Sequence, residues 1–437
     1  MQGLLPNLTM IRATGLILIL LAPWTSLSNA CPALLYPSTD LPGLSGKRNH
    51  LQLFTWKPSL KKWVRLPVQT DLLTPTGGLS FDMKPGWESG QMTSHDRIIF
   101  DVRSFGKAVG ESSLPCKGSA LFRINDFNHP ERGAWLTNCD SKMKEEAAPV
   151  VIFQPKEKRL YSQNYSYTFD QDNSMLFKSV FITKSTRRFL AAYHSDINIY
   201  SEIPKFFDLH FGSDSIESEI STIHHGPMGL NANVSFFVKI LFLRLKLALS
   251  TDVSFYADSA HIPMVLYLPV NPREYLSNQS GIIYSWAKSE KLEQSKHKIN
   301  MPVYSNYFSS TLKTQFDKLK TMGLRYCGNK DWCHFSLEIG FMNRPFTMQF
   351  SLPKELILKG FFPVYLKNPS EVFVDFQWEA SPRYKQGLRE GVFFPTMGLE
   401  SGNSSWDFWL KLGGLKKGRG GLCPYPVTVA KSPQAPK

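Results

Sequence analysis

Apolar and polar residues alternate with period two along much of the chain. In Arg97–Ser104 the alternation puts Ile98, Phe100 and Val102 on one face, and in Glu371–Glu379 it gathers Val372, Val374, Phe376 and Trp378. Three pairs of such runs read as hairpins. Phe335–Phe341 and Phe346–Phe350 flank Met342-Asn-Arg-Pro345, and Tyr165–Phe169 and Met175–Ile182 flank Asp170-Gln-Asp-Asn-Ser174. The third runs from Leu51 to Val68 and turns at Pro58-Ser59. Many short strands split by Gly, Pro and Asn predict an all-β fold of antiparallel sheets, sandwich-like or jelly-roll-like. One helix stands out over Ser305–Met322, where Phe308, Leu312, Phe316 and Leu319 recur at helical spacing and Gly323 fits the stop.

The longest alternation begins at Leu241. Leu241, Leu243, Leu245, Leu247, Leu249, Val253 and Phe255 share one face, and Arg244, Lys246, Ser250, Asp252 and Ser254 share the other. Such a strand would be about 50 Å long. It suits a long strand of a curved sheet with its apolar side in the core. A membrane β-barrel strand is the alternative, and Lys239, Arg244 and Lys246 argue against a transmembrane helix.

The polar stretch 213–228, with Ser-Asp-Ser-Ile-Glu-Ser-Glu and then His224-His225-Gly-Pro, predicts a linker. It would separate an N-terminal β domain, 31–212, from a C-terminal one, 229–426, and the Pro-, Ala- and Lys-containing tail 427–437 reads as disordered.

The first 30 residues read as a secretory signal. Arg12 is the only cation before Lys47, the run Gly15–Ala22 is apolar but short, and Ser28-Asn-Ala30 fits a cleavage site. Met10 serves equally well as the initiator. Cleavage after Ala30 leaves 437 − 30 = 407 residues and lowers the net charge from +14 to +13, since only Arg12 is lost. The mature chain would begin at Cys31. A lipid anchor there lacks the usual Leu three residues earlier, where this chain has Ser28, and would leave the other five cysteines unmatched. Six cysteines, Cys31, Cys116, Cys139, Cys327, Cys333 and Cys423, suit disulfides outside the cytosol. Several connectivities are open. The economical one joins Cys116 to Cys139, Cys327 to Cys333 and Cys31 to Cys423. A zinc site around Cys327-x5-Cys333-His334 has the wrong spacing.

No nucleophile elbow, phosphate loop or dinucleotide fingerprint occurs. His224 and His225 lie near Asp208, His210, Asp214, Glu217 and Glu219, yet match no metal spacing, so neither metal nor cofactor is expected. Asp126, His129, Glu131 and Arg132 read as a turn or a recognition loop. Asp375 and Glu379 would share a strand face, as a glycan-cleaving carboxylate pair requires. Binding is better supported than chemistry. Trp56, Trp63, Trp87, Trp135, Trp332, Trp406 and Trp409 lie near turns or polar stretches, and Lys411–Gly421 is a Gly-rich basic segment. Trp406, Trp409, Lys416, Lys417 and Arg419 are the ligand-binding candidates, with aromatic faces for sugars and cations for acidic groups. Glycosylation sequons at Asn164, Asn233, Asn278 and Asn403 do not decide the source.

The leading expectation is an exported, periplasmic or extracellular protein that binds a glycan or anionic envelope component without catalysis, with contact to a membrane surface and none with nucleic acid. A polysaccharide hydrolase or lyase and an outer-membrane or pore-forming protein are the alternatives.

Overall fold

The computed structural model describes residues 31–431 apart from 76–77, 82–85, 111–113, 117, 140–148, 185–186, 204–206, 241–242, 269–270, 272–276, 278, 290–296, 315, 329, 341–345, 386, 397–398 and 413–422. The expected signal peptide at 1–30 therefore lies outside the described residues. The all-β expectation holds. Four open antiparallel sheets of nine, eight, six and three strands carry the chain, with four short α-helices among the described residues.

All three hairpins form. Leu51–Lys57 pairs with Lys62–Leu66, Tyr165–Phe169 with Phe177–Lys184, and Trp332–Ile339 with Phe346–Pro353. The last hairpin's turn is outside the described residues. The long alternation becomes the strand Leu243–Tyr256, inside the eight-stranded sheet between Gly229–Ile240 and Ser259–Leu268. At its described end Val253 and Phe255 enter the large core.

Five expectations are corrected. The Glu371–Glu379 alternation is a helix, Ser370–Asp375, followed by turn residues. Val372 and Phe373 face the core and Val374 is 75% exposed, which is a helical burial pattern. The strand predicted through Val102 ends at Phe100, and Val102–Ser104 form a 3-10 turn capped by the Asp101 side chain. The helix expected to stop before Gly323 runs on to Leu324, its described parts being Asn306–Thr314 and Phe316–Leu324. Gly323 lies inside it rather than after it. A Cβ there would lie 2.6 Å from the Ile357 side chain, so this glycine serves close packing. The stretch read as a linker holds the strand Ile216–His225, paired with Gly229–Ile240. The tail read as disordered begins with the strand Val427–Lys431, paired with Gly118–Asp126, while 432–437 are outside the described residues.

The buried apolar residues form a cluster drawn from Ala33–Leu136 plus Tyr425, a large one drawn from Val151–Leu412, and a third of Cys31, Ile99, Met228, Tyr256, Trp409 and Cys423 that draws on both stretches. Polar ties reinforce the connection. The buried Arg97 pairs with Asp71 at 2.6 Å and donates to Ser254, while the Gln69 carbonyl accepts from the Met228 and Gly229 amides. Arg103 bridges Asp101 to Asp258 beside a cavity of about 180 Å³. The cysteines pair as the economical scheme has them: Cys31–Cys423, Cys116–Cys139 and Cys327–Cys333.

Candidate functional site

The strongest arrangement of polar and aromatic groups lies on one face of the nine-stranded sheet. Strand register builds it. Arg159 is opposite Thr168, Thr168 opposite Ser179, Ser179 opposite Tyr193, Tyr193 opposite Ala287, and Ala287 opposite Arg389. Directly opposed residues share a face, so six strands line up one row with an arginine at each end. Five strand spacings give it a length of about 24 Å. The other face packs on the large core through Leu160, Val180, Ile182 and Trp286, and at the Arg389 end the row's own face is covered too, with Ala287 fully buried and Ile283 and Phe393 on that face in the core.

At the open end, Tyr161 sits one alternate position from Arg159. The Arg159 and Arg188 guanidiniums lie 4.6 Å and 5.1 Å from the Tyr161 ring centre. Tyr161 is held in turn by its hydroxyl, which donates to Glu157 at 3.2 Å. The ring therefore positions two cations that would otherwise be mobile. Arg188 is exposed and Arg159 half-buried, and neither makes an ion pair with a carboxylate among the described residues. A planar guanidinium matches a carboxylate or sulfate in a two-point contact.

The closed end is built differently. Arg389 is buried, donates to Ser285 at 3.1 Å and lies 5.3 Å from the Tyr384 ring centre. Burial pushes its guanidinium pKa down, against the opposing pull of Asp196. Asp196 accepts from Ser381 at 2.6 Å and from Asn198 at 3.2 Å. Beside it the exposed His210 stacks on Tyr200 at 4.4 Å, and Tyr200 stacks on Trp378 at 3.9 Å. Burial lowers the His210 pKa, with Asp196, Glu379 and Asp214 acting in the opposite sense. The imidazole is therefore neutral near pH 7, a hydrogen-bonding group rather than a cation.

The residues singled out from sequence lie elsewhere. Trp406 and Trp409 are on the strand Gly402–Leu412 and are 7% and 1% exposed. Trp406 packs on Phe361, and Trp409 stacks on His261, which pairs with Asp407 at 2.9 Å. Their ring faces are occupied, so neither offers a platform to a sugar. They read as surface residues because Asp407 and Lys411 interrupt the apolar run, yet both of these lie on the polar side of a covered sheet. Lys416, Lys417 and Arg419 are outside the described residues. Asp375 is on a helix and accepts from the Tyr304 hydroxyl at 2.9 Å, so it shares no strand face with Glu379. His224 packs edge-on against Trp87, and no three His, Cys, Asp or Glu side chains among the described residues gather as a metal site. Asp126 is buried and accepts from the Tyr425 hydroxyl, whereas the half-buried His129 and exposed Glu131 lie 3.4 Å apart. Sequence reasoning missed the Arg159–Arg389 row. Its one local signal was the Arg159-Leu-Tyr161 alternation; the rest depends on register between strands up to 230 residues apart.

The class that fold and bonding define is a disulfide-bonded, all-β protein of an oxidising compartment. No family model and no curated protein matches the chain. Among solved structures it is similar to an α-mannosidase from Enterococcus faecalis V583, at 10% identity and a TM-score of 0.34, over 92% of this chain and 46% of that one. It is also similar to a protein in glycosyl hydrolase family 38 from Enterococcus faecalis, at 9% identity and a TM-score of 0.36, over 92% of this chain and 47% of that one. The chain thus spans about half the length of each, and at these scores the functional reading rests on its own residues.

Proposed function

We propose that the protein binds an anionic glycan, one bearing carboxylates or sulfates, at the Arg159 end of the row, and that it does so without chemistry. The single observation that carries this is the Arg159–Tyr161–Arg188 cluster, two cations held by one ring with no carboxylate paired to them among the described residues. The net charge of +14 attracts acidic polymers to the whole molecule, and an exported chain meets such polymers at an envelope or in an extracellular matrix.

The test is retention on immobilised polyuronate, sulfated glycan and neutral glycan, with assay of the eluate for new reducing ends. The expected result is retention on the charged glycans, none on the neutral one, and no product. Arg159→Ala with Arg188→Ala should weaken retention at least tenfold while leaving the circular dichroism spectrum unchanged. Release of reducing ends, or equal retention of the double variant, would overturn the reading.

A further inference from the structure

A second basic surface lies at the tip of the hairpin made by Leu51–Lys57, the 3-10 turn Pro58–Leu60 and Lys62–Leu66. No Asp or Glu occurs between Asp40 and Asp71, a stretch that holds Lys57, Lys61, Lys62 and Arg65. Lys57 and Lys62 are directly opposed across the strands, a like-charge pairing that costs stability unless something else uses it. Lys57 avoids part of the repulsion by donating to the Ser104 carbonyl at 2.6 Å, and burial together with Arg132 lowers its pKa. Lys61, Lys62 and the neighbouring Lys107 are exposed and make no ion pair among the described residues.

Between these cations the tip presents Leu60, 57% exposed. The left-handed backbone of Lys61 (φ 48°) makes the turn that places Leu60 there. One residue pair below the opposed lysines, Trp56 and Trp63 meet edge to face at 5.7 Å, both half-buried. The hairpin's second strand is the outer edge of the six-stranded sheet, and no further strand pairs with it among the described residues.

We infer that this tip docks on an anionic lipid surface, independently of the glycan face. The order of groups matches the depth profile of a bilayer interface: an apolar side chain foremost, ammonium groups around it at headgroup level, and two indoles just behind. A soluble polyanion would be served by the lysines alone and gives Leu60 no role. One tip of this size supports reversible contact, with charge supplying much of the attraction.

The test is co-sedimentation of the full, disulfide-intact chain with vesicles of phosphatidylglycerol and phosphatidylcholine, and with phosphatidylcholine alone. Retention on immobilised polyphosphate is measured alongside. The wild type should sediment with the anionic vesicles only, and 0.5 M salt should release it. Leu60→Asp should lower vesicle partitioning at least tenfold and change polyphosphate retention less than twofold, while Lys61→Glu with Lys62→Glu should lower both. The tip is exposed, so near-ultraviolet circular dichroism of both variants should match the wild type. The inference is overturned if the wild type ignores anionic vesicles or binds neutral ones equally well. It is also overturned if Leu60→Asp leaves vesicle binding intact or weakens both ligands alike, since the latter would make the tip a polymer site. Failure of the glycan assay above would leave this result untouched, because no residue is shared.

Discussion

Asp96 has no exposure, and the Arg48 guanidinium that pairs with it at 2.8 Å is nearly as deeply placed. Arg48 also lies 4.7 Å from the Trp87 ring centre, so its hydration is replaced on two sides. Removing the carboxylate strands a buried cation, and Asp96→Ala should cost about 3–5 kcal/mol in urea unfolding. A loss under 1 kcal/mol would show that Arg48 can reach water. Glu390 makes a second residue-scale prediction. It too has no exposure, and the Tyr365 hydroxyl donates to it at 2.7 Å, with His297 at 3.1 Å and Lys288 at 3.8 Å. Burial alone would raise its pKa, but His297, Lys288 and Tyr365 outweigh burial and hold it below the ordinary value. A depressed carboxylate stabilises the fold above its unfolded pKa of about 4.3, and that stabilisation is lost as pH falls through the folded value. The stability gap between wild type and Glu390→Gln should therefore be constant from pH 7 to about 5 and shrink below about 4. A gap that widens on acidification would contradict the assignment.

Among the elements, legibility followed locality. The hairpins were readable because Tyr165–Phe169 and the strand beginning at Phe177 each carry their own alternation and are joined by a short polar turn. Val372, Val374, Phe376 and Trp378 misled because six residues satisfy a period of two and a period of 3.6 about equally well, and contacts with the core decided between them. Ile216–His225 was hidden by composition. Its inward positions include Ile216 and Ser218, and the buried Ser218 is satisfied by Asn173, a partner 45 residues away. The tail strand Val427–Lys431 was hidden in the same way. Its neighbour Tyr425 is buried and hydrogen-bonded to Asp126 and Asn128, which anchors a segment whose composition alone suggests disorder. The candidate site was the least legible part. A single residue pair in it is local, whereas Trp406 and Trp409, locally conspicuous, prove to be packing residues.

For the whole molecule, the disulfides differ most in the length of chain they close. Cys31–Cys423 spans 392 residues and ties the first described strand region to the last, whereas Cys327–Cys333 spans 6. Chain-entropy arguments assign roughly 5–6 kcal/mol to the former and about 2 to the latter. Replacing Cys31 and Cys423 by Ser should therefore lower the melting temperature more than replacing Cys327 and Cys333. Equal shifts, read by calorimetry, would mean that the termini stay docked through Tyr425 and the Val427–Lys431 strand without the bond.

Binding of an acidic glycan at the Arg159 end of the row is tested most directly by titration of a polyuronate oligomer across a salt series. Each cation engaged by a polyanion releases counterions, so the logarithm of the affinity should fall linearly with the logarithm of salt concentration. Arg159→Ala with Arg188→Ala should weaken binding at low salt and make that slope shallower by about one to two units. An unchanged slope and affinity in the double variant would contradict it.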